Sequence, residues 1–201
     1  GDVYKRQSQG CKGKGASLMK AEEAYKAELK QSDIDHHTPT AGAMVDHIIA
    51  NLLIHTLKID QAKFFAKGSA SLFLEQRADE WIRYEQNEFN QLNQILVNNG
   101  ESIPTTTDQF KEYTMLEENG ASKYENGQDQ LFALVKDFDT QILFITKAIA
   151  LTQKETWPEL SANLIELLAW IKEQIRQSQN FLGHELRERL YTEEDDDDDD
   201  F

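Results

Sequence analysis

Four long stretches of this chain repeat apolar residues at helical spacing, and one connection between them is far longer than the rest. That combination limits the fold more than any other feature. Over 41–66, Met44, Val45, Ile48, Ile49, Leu52 and Ile59 fall on one face. Gly68, Ser69 and Ser71 interrupt the pattern, and 72–97 then carries Trp81, Ile82, Glu85, Phe89, Leu92 and Leu96 as one stripe. Asn99 and Gly100 end it with residues suited to a left-handed cap. A third helix is predicted over 128–154, marked by Leu131, Leu134, Val135, Phe138, Ile142, Ile145 and Ile149. Thr156 and Pro158 read as the cap and first turn of a fourth, which carries Leu160, Leu164, Ile165, Leu168, Ile171 and Ile175 and runs on toward Leu190.

The long connection is 101–127. TTTDQFKEYTML within it predicts a short helix begun by Thr106 or Thr107, with turns at Gly120 and Gly127. Because that connection lies between the second and third helices, the chain must return along the bundle before the third begins. The order is therefore up-down-down-up, an all-α, ferritin-like four-helix bundle with a short helix in the crossover. Met19 to Lys30 predicts a further, thin-faced helix as an N-terminal extension over 19–35. DIDHHTPT, residues 33–40, is expected to break it before the bundle of 36–190.

Composition excludes several classes of function. The formal net charge of -15 argues against a protein that holds nucleic acid by its own basic surface. No apolar run is long enough for a membrane helix. Cys11 is the only cysteine, so neither a disulfide framework nor a cysteine metal cluster is available, and cytoplasmic residence is the default. DVYKRQ, residues 2–7, back-translates to a sequencing-library adapter, so 1–18 is expected to be a non-native or disordered leader before a start at Met19. Asp195–Asp200 repel one another, and 191–201 is expected to be a disordered acidic tail.

QAKFFAKG, at the end of the first bundle helix, resembles the QAHWNxRG segment of the Dps family, the mini-ferritins that protect bacterial DNA. SDIDHHTPTAGAM resembles the approach to the bundle in the branch from lactic acid bacteria. The crossover helix, and the lack of a predicted fifth helix after the bundle, agree with both. The resemblance spans about residues 19–190 and implies a cytoplasmic, nucleoid-associated, hollow dodecamer that binds DNA and oxidises and stores iron. In that family the iron-oxidising centre lies between two subunits and follows the pattern H-x11-H-x3-D-x10-D-x3-E. Fitted without gaps, its places hold Lys63, Glu75, Asp79, Asn90 and Gln94. Only Asp79 matches. An ammonium offers iron no lone pair and repels it. Lys63 is therefore expected to replace the metal as a cation, seated between Glu75 and Asp79 of the facing subunit. Alternatively its head points into solvent.

The Glu-x-x-His motif of the larger ferritins does not occur. Other metal candidates are His36, His37 and His47, near Asp33, Asp35 and Asp46, able to meet on Zn(II) or Fe(II) if the extension helix folds back. The plainer reading makes His36 and His37 a polar elbow, and His47 and His55 hydrogen-bonded interface residues. Asp137, Asp139, Glu166 and Glu173 are candidates for pores or cavity walls, or are simply solvated helix faces. For DNA, the resemblance points to the extension's Lys20, Lys26 and Lys30, outnumbered there by Glu22, Glu23, Glu28, Asp33 and Asp35. That balance cannot drive counterion release, so DNA contact would need divalent cations as bridges or the lysines alone presented in pairs, unless 1–18 is native and Lys5, Arg6, Lys12 and Lys14 reverse the balance. Three functions are open: a DNA-protecting, iron-sequestering shell whose oxidising centre is lost, an active ferroxidase with a nonstandard iron site, or an inert helical scaffold.

Overall fold

The structure, a computed structural model, describes residues 2–191, with side chains from Lys20 onward. Its helices are α1 Asp2–His37, α2 Ala41–Phe65, α3 Ser69–Asn98, α4 Thr107–Tyr113, α5 Gly127–Lys154 and α6 Pro158–Leu182, with a 3-10 turn, Gly120–Tyr124, before α5. No strand occurs among the described residues. The four long helices α2, α3, α5 and α6 make a ferritin-like bundle in which α2 lies against α3 and α5, and α6 against α5 and α3. α4 crosses α2, and α1 docks by its C-terminal end. No helix is long and apolar enough to cross a membrane.

The apolar stripes meet at the centre. Ile48, Ile49, Leu52, Ile59, Leu74, Leu92, Leu96, Leu131 and Ile145 are all fully buried. Each such side chain contributes about 1.5–3 kcal/mol by leaving water. Trp81 and Trp170 stand on either side of Phe138, with ring centres 5.1 and 5.7 Å from it, and Tyr84 stacks on Trp170 at 3.9 Å. The third tryptophan, Trp157, is buried just before α6.

Polar side chains fix the crossover. Asn51 of α2 accepts from the Met115 amide at 2.7 Å and from the Thr114 hydroxyl at 3.0 Å. Its amide donates to Gln141 of α5 at 3.1 Å, and Gln141 in turn donates to the Ile48 carbonyl at 3.2 Å. Thr106 and Gln109 form a reciprocal capping box at the start of α4, which settles the choice between Thr106 and Thr107. Gly127 opens α5 against the chain that links α2 to α3. A Cβ there would fall 2.2 Å from the Lys67 carbonyl oxygen.

Three expectations need correction. α1 does not break at Asp33 but continues to His37, because His36 packs into the bundle and each of His36 and His37 hydrogen-bonds the carbonyl four residues back. α6 stops at Leu182, where Gly183 adopts a left-handed φ of 73° and ends the helix. Beyond it Gln179 donates to the Leu186 and Glu188 carbonyls at 3.3 and 3.0 Å, which tucks Leu190 against the core. The cap of α6 is Trp157, not Thr156, whose φ is 55°. The expected leader lies at the start of α1, where only the backbone is described, and the six aspartates lie outside the described residues.

Candidate functional site

Lys63 occupies the last turn of α2, and Asp79 the third turn of α3. The helices are joined by the tight break at Gly68, so residues on either side of it face one another. Lys63 Nζ reaches Asp79 Oδ1 at 2.5 Å. The hydrogen bond to Asp79 holds the ammonium above its ordinary pKa, against a small desolvation and with help from the charges of Asp79 and Asp60. Sequence reasoning set this pairing across the subunit boundary and included Glu75. Within the one chain described, the four-carbon stem spans the hairpin and reaches Asp79. Glu75, Asn90 and Gln94 are exposed along α3.

A second charged group lies at the bundle centre. His55 of α2 donates through Nδ1 to Glu85 of α3 at 2.5 Å, and its Nε2 faces the Leu134 carbonyl of α5 at 3.2 Å. Both residues are 1% exposed. With an oxygen facing each nitrogen, the surroundings of the ring favour its protonated form. Burial alone would lower its pKa, but the Glu85 charge and hydrogen bond, Asp137 and the Leu134 carbonyl raise it. Burial raises Glu85 too, opposed by His55 and aided by Asp137. Lys58 pairs with Asp137 at 2.8 Å, so two cations and two anions balance across three helices. Asp137 is thus an interior residue rather than a pore or surface acid, and His55 is a core residue rather than an interface one. Asp139 is paired with Arg187 at 2.6 Å. The signal for the central pair was a histidine and a glutamate each lying on an otherwise apolar stripe.

A third group sits at the elbow between α1 and α2. His36 stacks on Tyr113 of α4 with ring centres 4.7 Å apart, and meets His47 edge-on at 5.0 Å. Its Nδ1 lies 2.6 Å from the Ser32 carbonyl, and His47 Nδ1 lies 2.7 Å from the Tyr113 carbonyl. His37 instead turns outward and bonds the Asp33 carbonyl at 2.6 Å. Beside the elbow is a cavity of about 550 Å³ lined by Glu28, Asp35, Asp46 and Glu101, with no basic side chain in its wall. Burial, with the charges of Glu101, Asp35 and Glu28, pushes the Asp46 carboxyl up to about 8. Burial lowers His47, against the pull of the Tyr113 carbonyl and with the repulsion of His36. Lys20, Lys26 and Lys30 are exposed on α1 and form no shared patch with this elbow. Among the described residues, no three histidine, cysteine or acidic side chains stand in an array ready to hold a metal.

A ferritin-like bundle with a crossover helix and an outward-facing site at the α2–α3 hairpin defines the class of mini-ferritins. Within it the chain belongs to the Dps family. Its fold matches the crystal structure of DpsB from Lactococcus lactis MG1363, with 33% identity, a TM-score of 0.78, and coverage of 83% of this chain and 96% of that one. DpsA from the same organism gives 32% identity and a TM-score of 0.78 over 83% of this chain and 98% of that one. Dps from Listeria monocytogenes, at 24% identity and a TM-score of 0.71 over 74% of this chain and 97% of that one, shares the fold. No protein-family model matches the chain, and comparison with curated proteins gives no match. The likeness to the family, carried in sequence by QAKFFAKG, and to its lactic acid branch, carried by SDIDHHTPTAGAM, is borne out.

Proposed function

We propose that this protein assembles into a hollow dodecameric shell that protects DNA and sequesters iron in the cytoplasm, with the family's iron-oxidising centre between subunits replaced by an ion pair. The observation that carries this reading is Lys63 Nζ at 2.5 Å from Asp79 Oδ1. Asp79 is the one family ligand retained, and it is occupied by a fixed positive charge. A divalent iron arriving there meets repulsion from the ammonium and competes with it for the carboxylate. Asn90 and Gln94 supply neutral amides where the family supplies charge. Iron is cargo in this reading, drawn by the negative field of many copies of a chain that carries -15. DNA contact falls to Lys20, Lys26 and Lys30 with divalent cations bridging the acids between them.

Anaerobic Fe(II) titration calorimetry, followed by peroxide, tests the central point. The expected result is no saturable uptake at one or two ions per subunit and no fast oxidation. Saturable binding with oxidation on mixing would instead establish an active ferroxidase with a nonstandard site. Sedimentation of the same sample distinguishes the shell from an unassembled helical scaffold.

A further inference from the structure

We propose that the cavity between α5, α6 and the tail beyond Gly183 binds a medium-chain alkyl carboxylate, its chain inward and its carboxylate at Lys172. The cavity, of about 320 Å³, is lined by Ile142 of α5, Lys172 and Ile175 of α6, and Leu186 and Arg187 of the tail. That volume lies at the lower end of the range for small-molecule sites, about 300 Å³ and upward. Ile142, Ile175 and Leu186 offer an aliphatic surface against which a saturated chain gains by leaving water. The stems of Lys172 and Arg187 extend that surface. No acid stands in the lining.

The outer wall is anchored. Gly183 turns the chain back, Gln179 holds the Leu186 and Glu188 carbonyls, and Arg187 grips Asp139 by two hydrogen bonds, at 2.6 and 3.2 Å. Leu190 is buried beyond them. Leu186 is thereby held at the cavity while 52% exposed, so a bound chain would cover apolar surface that folding leaves in water. Charge then selects the head group. Asp139 already neutralises Arg187, whereas Lys172 is exposed and has no ion-pair partner among the described residues. In a chain of formal charge -15, a lining with cations and no acid favours an anion. One free ammonium beside an aliphatic slot matches one carboxylate on an alkyl chain. A polyphosphate would need more cations, and a neutral lipid would leave the ammonium unused. The inference rests neither on Lys63 nor on the shell.

The test is titration calorimetry of decanoate into the full protein in whatever assembly it adopts. Saturable binding of one decanoate per chain is expected. Two further methylenes should make decanoate bind about tenfold tighter than octanoate, and the carboxylate should make it bind tighter than decanol. Lys172→Ala should weaken decanoate about threefold and leave decanol unchanged, with Lys172→Glu weaker still. Leu186→Ser should weaken both ligands about fivefold. Lys111→Ala, on α4, is the distant control and should change nothing. Both lining side chains that are replaced are exposed, and circular dichroism checks helix content in each variant. The comparison of octanoate, decanoate and decanol needs no variant at all. Equal affinity for decanol and decanoate, unchanged affinity in Leu186→Ser, or equal loss in Lys111→Ala would each overturn the inference. So would the absence of saturable binding, which is the result expected if a second copy of the chain covers this face. In that case Leu186→Glu would also lower the sedimentation coefficient.

Discussion

His55 and Glu85 set titratable groups at the centre of the bundle, beside the Lys58–Asp137 pair, and each is the other's direct hydrogen-bond partner. Glu85→Ala should destabilise the chain by about 3–5 kcal/mol in urea denaturation, since it leaves His55 buried without its counter-charge. The pair also sets a pH dependence. His55 and Glu85 both have raised folded-state values. A raised value means that folding favours the protonated form, so this stabilisation is complete at low pH and is lost as pH rises. Urea midpoints should therefore fall as pH climbs, above 4.5 through Glu85 and above 6.5 through His55, and the double variant His55→Gln/Glu85→Gln should remove most of that slope. Neither residue announces its partner in the sequence. Thirty positions separate them, and only the packing of α2 on α3 brings them within 2.5 Å. Lys63 was more legible, because a known spacing pointed to Asp79, but not that the contact is made inside one chain.

At the scale of elements, most of the architecture was readable because apolar period and end signals agreed. Thr106 with Gln109 is such a case, and Thr106→Ala should cost about 1 kcal/mol in stability. α6 was read too long because Leu186 and Leu190 continue to look apolar after Gly183, whereas the left-handed glycine has already turned the chain. α1 was read too short because Asp33–His37 is polar, although aspartate and histidine tolerate a helix when tertiary contacts hold it. Gly127 shows a constraint with no sequence pattern at all. Its missing side chain lets α5 start against the Lys67 carbonyl, 2.2 Å from where a Cβ would stand. Gly127→Ala should cost about 1–3 kcal/mol, measured by thermal unfolding, as the α2–α3 link is pushed away.

For the whole molecule the dominant quantity is charge. In the proposed shell, a chain with a formal charge of -15 must place its acids where water and counterions reach them. Lys63→Ala should leave the assembled mass unchanged in sedimentation, because the ion pair lies within one subunit and is exposed to screening. DNA retardation in gels should disappear with a chelator and return with excess Mg(II), since the three lysines of α1 are outnumbered by their acidic neighbours.

The tryptophans give the molecule two separate optical reporters. Trp81 and Trp170 share Phe138 with His55, whose ring centre is 4.5 Å from that phenylalanine. Trp157 stands elsewhere, next to Glu155, whose carboxylate accepts the Ala41 amide at 2.7 Å and so touches the first turn of α2. Imidazolium quenches indole emission, so the brightness of Trp81 and Trp170 follows the proton at the bundle centre. Trp157 follows the end of the bundle where α1 joins α2. A variant with Trp157 alone should therefore report the start of α2 rather than the His55–Glu85 pair.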